Sequence, residues 1–392
     1  MKLENSNQIH EWSADRKWNP FNSYKLLSQV YRWRLIKRGQ PIPQPALVTV
    51  DPINSCNLSC TWCNAEHILQ NRRNRISERG LLELSEGMAK WKGHPEWPGG
   101  VEAVCIAGGG EPLLHPATGR FIKSLVKNGI EVGIVTNGTR IHEFLEELAL
   151  CTWVGVSVDA GTPETFERLK GKNRFEKVVE NLKLLNSYIS KHDCTLGMNR
   201  PGYGVSYKYL LHSGNIADVY KGAKAARATG CKNFHLRPAG LSWDKLQSSS
   251  ENMFNSETRA TLAQQLNCAR ELETSKFNVF GITHKFDSNL NKSNIFSSCH
   301  AIFMTAVFMP PAENKDELFR TGLCCDRRGD ERLEFPQEMK SFTDVEKAWG
   351  STGHWDIYDR IKLSDCPRCT YQPHNQIFEH VIENDSMTYK FI

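Results

Sequence analysis

The stretch Asn54-Ser-Cys-Asn-Leu-Ser-Cys-Thr-Trp-Cys-Asn64 follows an apolar run at 46–51 and places Cys56, Cys60 and Cys63 within eight residues. Three thiolates are one short of a closed tetrahedral site. Structural zinc takes four Cys or His ligands and favours paired C-x2-C spacing. An iron–sulfur cube takes one thiolate per iron, so three cysteines leave one iron open for a small molecule. The bland reading is a zinc knuckle or three unrelated buried thiols.

Working outward, the 392 residues suffice for two or three domain-sized units. Hydrophobic content of 40% and charged content of 24% are ordinary for a globular chain. No run of about 18 apolar residues occurs, so no membrane span is expected. The start, Met1-Lys-Leu-Glu-Asn-Ser, lacks the apolar stretch of a secretory signal, and a cytoplasmic location is expected. Thirteen cysteines then favour metal or cluster ligation, because disulfides do not persist in that compartment. A net charge of +5 does not demand a nucleic-acid partner, and none is expected. The clusters Arg32, Arg34, Lys37, Arg38 and Arg72, Arg73, Arg75 read as solvated faces.

Strand-like runs at 46–51, 101–107, 131–136, 153–159, 204–211 and 233–238 alternate with helical stretches near 79–92, 116–128, 141–150, 163–187 and 215–229. That alternation predicts parallel βαβ units, and six of them fit a partial (β/α)6 TIM-like barrel. Residues 1–45 read as a helical leader with Ser23 as N-cap and Gly39 as stop, and 46–240 as the barrel. Residues 241–290 read as a linker with a helix from Ser256, and 291–392 as a small C-terminal α+β domain. Within that domain Phe303–Pro310 and Leu318–Cys324 are expected to form a hairpin, and Phe277–Phe286 a further strand before it.

In parallel α/β folds ligands bind at the carboxyl ends of the strands. Here those ends carry the cysteine loop, Gly108-Gly109-Gly110-Glu111, Thr136-Asn137-Gly138, Ser157-Val-Asp159, and His235-Leu-Arg237. Glycines let backbone approach a ligand, and a carboxylate accepts hydrogen bonds from an ammonium. Side chains alternate along a strand, so Ser157 and Asp159 should share the cavity face while Val154, Val156 and Val158 face helices. Lys208, His235 and Arg237 should point inward by the same alternation. These three are the candidates for substrate-side catalytic work. Structural salt bridges explain them equally well.

The C-x3-C-x2-C spacing, with Trp62 before the last cysteine, resembles the radical S-adenosylmethionine (SAM) enzymes. The resemblance implies a [4Fe–4S] cluster on Cys56, Cys60 and Cys63 whose open iron holds SAM. It implies SAM contacts from Trp62, Gly108, Gly109, Gly110, Glu111, Thr136, Asn137, Ser157, Asp159 and one of Arg168 or Lys170, with Arg168 taken first. Ala160 stands where the family's Ser-x-Asp element usually has glycine. Cys299, Cys324 with Cys325, Cys366 and Cys369 resemble the twitch/SPASM-like auxiliary domain, implying a second [4Fe–4S] cluster on Cys299, Cys324, Cys366 and Cys369. Neighbours on a strand point opposite ways, so Cys324 or Cys325 is a bystander. A four-cysteine zinc site is the plain alternative. Cys105, Cys151, Cys194, Cys231 and Cys268 read as small buried hydrophobes.

The layout implies SAM cleavage to a 5′-deoxyadenosyl radical. It then implies two-electron oxidation of a small polar substrate such as a sugar or aminocyclitol. Peptide maturation and epimerisation are the alternatives within the class, and a zinc-stabilised binding protein lies outside it. A flavodoxin- or ferredoxin-type electron donor is the implied partner.

Overall fold

A computed structural model describes residues 23–71, 74–192, 204–239, 256–281, 296–313, 315–366 and 369–383. The beginning of the leader, much of the 241–290 linker, Cys194 and the end of the strand expected over Phe277–Phe286 lie outside them. The strands are β1 (Leu47–Val50), β2 (Ala103–Ile106), β3 (Glu131–Thr136), β4 (Trp153–Ser157), β5 (Gly204–Leu211), β6 (Asn233–Pro238), β7 (Asn278–Gly281), β8 (Thr305–Met309) and β9 (Arg320–Gly322). They form one sheet in the order β7-β6-β5-β4-β3-β2-β1-β8-β9. Among these strands every pairing is parallel except β8 with β9. The sheet is not closed, in keeping with a partial barrel.

The expected hairpin forms, with Val307 opposite Gly322. It does not stand apart: β8 pairs with β1, placing Leu47 opposite Thr305. At the other margin β7 pairs with β6, Asn233 opposite Asn278. A strand left at a sheet edge exposes a row of unpaired N–H and C=O groups, and both additions cover such an edge.

Strand alternation divides the sheet into two faces. Val48, Val104, Ile106, Ile134, Val154, Val156, Tyr207 and Phe234 are all 2% exposed or less and pack under the helices. Each aliphatic of this set contributes about 1.5–3 kcal/mol of burial. The other face carries Cys105, Gly133, Trp153, Gly155, Ser157, Lys208, His235 and Arg237. Several of these are half-buried or exposed, so this concave face is a lumen.

Caps define the helices that hold this lumen. In the helix Pro163–Lys170, Thr162 Oγ1 accepts the Thr165 N–H at 3.3 Å and proline occupies the first turn. Gly171, left-handed at φ 72°, ends it. Ser77 caps Glu78–Lys90 by accepting from Gly80 N at 3.0 Å. No helix among the described residues is long and apolar enough to cross a membrane.

Candidate functional site

The cysteine loop leaves β1 and is stapled to its neighbours by backbone. The last carbonyls of a helix have no partner of their own. Here Lys170 O accepts the Ser59 N–H and Leu169 O accepts the Thr61 N–H, both at 3.0 Å. A Cβ on Gly171 would lie 2.9 Å from Ser59 O, so glycine is required for this approach as well as for the turn. From the β3 end, Asn137 Nδ2 donates to Asn57 Oδ1 at 2.7 Å, and Asn57 Nδ2 donates to Thr139 Oγ1 at 2.8 Å. Asn137 Nδ2 also lies 3.9 Å from Cys56 Sγ.

The glycine run serves the same loop. A Cβ on Gly110 would lie 2.3 Å from Ser55 O, and one on Gly109 2.7 Å from Asn54 Oδ1. These glycines thus allow a close approach to the cysteine loop as well. Glu111 is buried at 3% exposure and accepts from Thr136 Oγ1 at 2.6 Å, Asn137 N at 2.7 Å and Leu113 N at 3.0 Å. Its carboxylate ties the glycine run to β3, and burial raises its pKa against these hydrogen bonds.

Of the basic pair on Pro163–Lys170, Arg168 is exposed and donates to Gly214 O at 2.6 Å. Lys170 is buried, ion-paired with Asp159, and within electrostatic reach of Cys60 and Cys56. Its Nζ stands 5.9 Å from the Trp62 ring, which stacks on His212 at 5.0 Å. Ser157 is half-buried at the β4 end. Asp159 is fully buried and takes φ 59°, the one left-handed non-glycine among the described residues. The left-handed position is Asp159 rather than Ala160, so an alanine at 160 is tolerated. Leu210 N donates to Asp159 Oδ1 at 2.6 Å and Asn215 Nδ2 to its carbonyl at 2.8 Å, which offsets a strain of about 1–3 kcal/mol.

Across the lumen, Ser157 is in register with Lys208 and Lys208 with His235. Arg237 is exposed at the mouth. Near β1, Asp51 is 1% exposed and ion-paired with Arg328 at 2.7 Å. Arg328 belongs to the loop after β9 and also donates to Cys325 O at 2.6 Å. Sequence reasoning missed Asn57, Thr139, Asp51 and Arg328. A charged residue closing the apolar β1 run was the one available signal.

Cys299, Cys324, Cys366 and Cys369 line one cavity with apolar neighbours that include Ile302 and Leu323. Cys325 does not line it; its sulfur accepts the Tyr371 O–H at 3.0 Å. The donor sets fit iron–sulfur clusters. Burial, with neighbouring thiols acting the same way, pushes Cys56 and Cys299 up to about 11. Only a strongly cationic centre holds several such thiols ionised together. Among the described residues no three His, Cys, Asp or Glu side chains are grouped to hold a single metal ion.

Comparison with known proteins agrees with this geometry. Residues 50–202 match the model of the radical SAM superfamily. The probable GTP 3′,8-cyclase of Saccharolobus solfataricus is 23% identical over 194 residues, 48% of this chain and 56% of that protein. Streptococcus suis SuiB bound to its precursor peptide SuiA superposes with a TM-score of 0.56 at 14% identity, covering 88% of this chain and 74% of SuiB. The anSMEcpe complex with AdoMet and the Kp18Cys peptide superposes at 0.54 and 15% identity, covering 85% and 88%. The chain spans about half the length of the cyclase it matches.

Proposed function

We propose that this chain, whose residues 50–202 match the radical SAM superfamily, is a radical SAM enzyme that oxidises a small polar substrate by two electrons, using a second iron–sulfur cluster in the C-terminal cavity. When bound, the clusters and SAM supply a 5′-deoxyadenosyl radical and an electron acceptor. The observation that carries the reading is the convergence of Cys299, Cys324, Cys366 and Cys369 on one cavity. Four thiolates saturate a cube, which suits electron transfer rather than substrate ligation.

In this reading Cys56, Cys60 and Cys63 hold the first cluster. Gly109 and Gly110 support their loop from below, and Asn57, Asn137 and Thr139 from the side. Lys170 contributes positive charge beside the thiols while Asp159 fixes its position. Trp62 and His212 wall the lumen mouth with a stacked pair. Ser157, Lys208, His235 and Arg237 face the substrate. Asp51 and Arg328 join the loop of the C-terminal cysteines to the end of β1. A flavodoxin- or ferredoxin-type protein delivers the electron that starts the reaction.

The test is anaerobic reconstitution. About eight irons per chain and deoxyadenosine formed from SAM support the reading, whereas a colourless zinc protein overturns it. A second reading, peptide modification, draws on the likeness to SuiB and anSMEcpe with bound peptides. Hydrogen abstraction from a peptide in preference to a sugar or cyclitol would select it.

A further inference from the structure

We propose that Lys208 is a nucleophilic amine that condenses with the carbonyl carbon of a small anionic aldehyde or 2-oxo acid in the lumen. The inference rests on reading the lumen as the substrate chamber.

Its first support is placement. Lys208 sits near the carboxyl end of β5, half-buried, in register between Ser157 on β4 and His235 on β6. A small molecule entering from the mouth meets it beside Arg237.

The second support is shape. A Cβ on Gly155 would lie 2.1 Å from Lys208 Cε, and one on Gly133 2.1 Å from the Trp153 ring. Two lumen glycines therefore clear a floor on which the Trp153 ring and the lysine stem lie across neighbouring strands. Lys208 Nζ stands 5.1 Å from the Trp153 ring centre. The lysine stem is held in place by packing against these neighbours.

The third support is charge. The groups around it are Arg237 and His235 on β6, Cys105 on β2 and Asp159 beyond β4. Asp159 is committed to Lys170. Among the described residues Lys208 makes no ion pair with a carboxylate. Burial, and then the Arg237 guanidinium, lower its pKa to about 8. A lysine kept for binding an anion gains nothing from losing its charge, whereas desolvation beside a second cation is how an amine is activated for attack on carbonyls. The contrast with Lys170, whose pKa is raised by Asp159, separates the two lumen-side lysines by role.

The chemistry balances without a redox partner. The neutral amine attacks the carbonyl carbon to give a carbinolamine. Loss of one water leaves a C=N bond at Nζ. Arg237 supplies positive charge for the anionic group of the ligand, which favours glyoxylate or pyruvate over a neutral ketone.

The test uses full-length, cluster-reconstituted protein with glyoxylate or pyruvate and cyanoborohydride, whose hydride converts the imine into a stable secondary amine. Peptide mass mapping should show Lys208 modified about tenfold faster at pH 7 than the exposed Lys172 and Lys183. Its rate should level off above pH about 8, and acetone should label it poorly. Lys208 modified no faster than those two, or only after denaturation, overturns the proposal. The readout does not need SAM cleavage. An adduct without deoxyadenosine overturns the preceding reading alone, and deoxyadenosine without an adduct overturns this one alone.

Discussion

The two cysteine sites are built in opposite ways. Cys56, Cys60 and Cys63 come from one loop, and their neighbours hold that loop by its backbone and its asparagine side chains: two helix carbonyls, two glycine contacts and an Asn–Asn–Thr network. Cys299, Cys324, Cys366 and Cys369 come from three separated segments brought together around an apolar cavity. In the proposed reading the local set holds the cluster that binds SAM and the assembled set holds the one that passes electrons.

The contrast breaks most cleanly at single thiols. Cys60→Ala should abolish deoxyadenosine formation and remove about four irons, while Cys366→Ala should remove a similar number yet keep uncoupled SAM cleavage. Iron analysis with deoxyadenosine quantification decides it; a Cys366→Ala protein with full iron content would show that the C-terminal thiols hold no cluster.

Next in size is the buried pair under the first site. Lys170→Met leaves Asp159 as an unpaired buried charge and should cost about 3–5 kcal/mol in denaturant unfolding. Asp159→Asn with Lys170→Met should recover part of that loss. Gly110→Ala acts on the loop itself, since its Cβ meets Ser55 O at 2.3 Å. About 1–3 kcal/mol and selective loss of the first cluster's iron are expected.

Acid should separate the regions in another way. His300 is lowered to about 4, His354 to about 3 and His374 to about 4, each chiefly by burial, and all three lie in the C-terminal part. A histidine with a depressed folded pKa favours the neutral form, so its stabilisation is present above the unfolded value near 6.5. It is lost as pH falls toward the folded value, at up to about 1.4 kcal/mol per unit for each group. Hydrogen exchange between pH 7 and 5 should show the C-terminal helices opening before the β2–β5 core. The smallest effect belongs to Cys325→Ser. Its sulfur faces Tyr371 rather than the cavity, so second-cluster iron should be unchanged while Cys324→Ser loses it.

Much of the core was legible in the chain because its signals are short-range. Alternation along a strand placed Val154 and Val156 under helices and Ser157 in the lumen, and strand–helix alternation placed the barrel. The residue types near the cysteine loop were legible too, but their partners were not. Arg168 and Lys170 look alike in sequence, and only the course of the Pro163–Lys170 helix sends one to the surface and the other beside the thiols. Glu111 read as a carboxylate that accepts from an ammonium, and the three protein donors that also reach it were not legible.

What the chain alone determined is the chemistry of the donors and the β/α period, since spacing within a few residues and strand alternation follow from backbone geometry. Tertiary structure decided which of two adjacent cysteines meets the cavity, that the C-terminal hairpin extends the sheet at β1, and that Asp51 and Arg328 meet. Those outcomes depend on contacts between residues tens to hundreds of positions apart, and no local pattern records them.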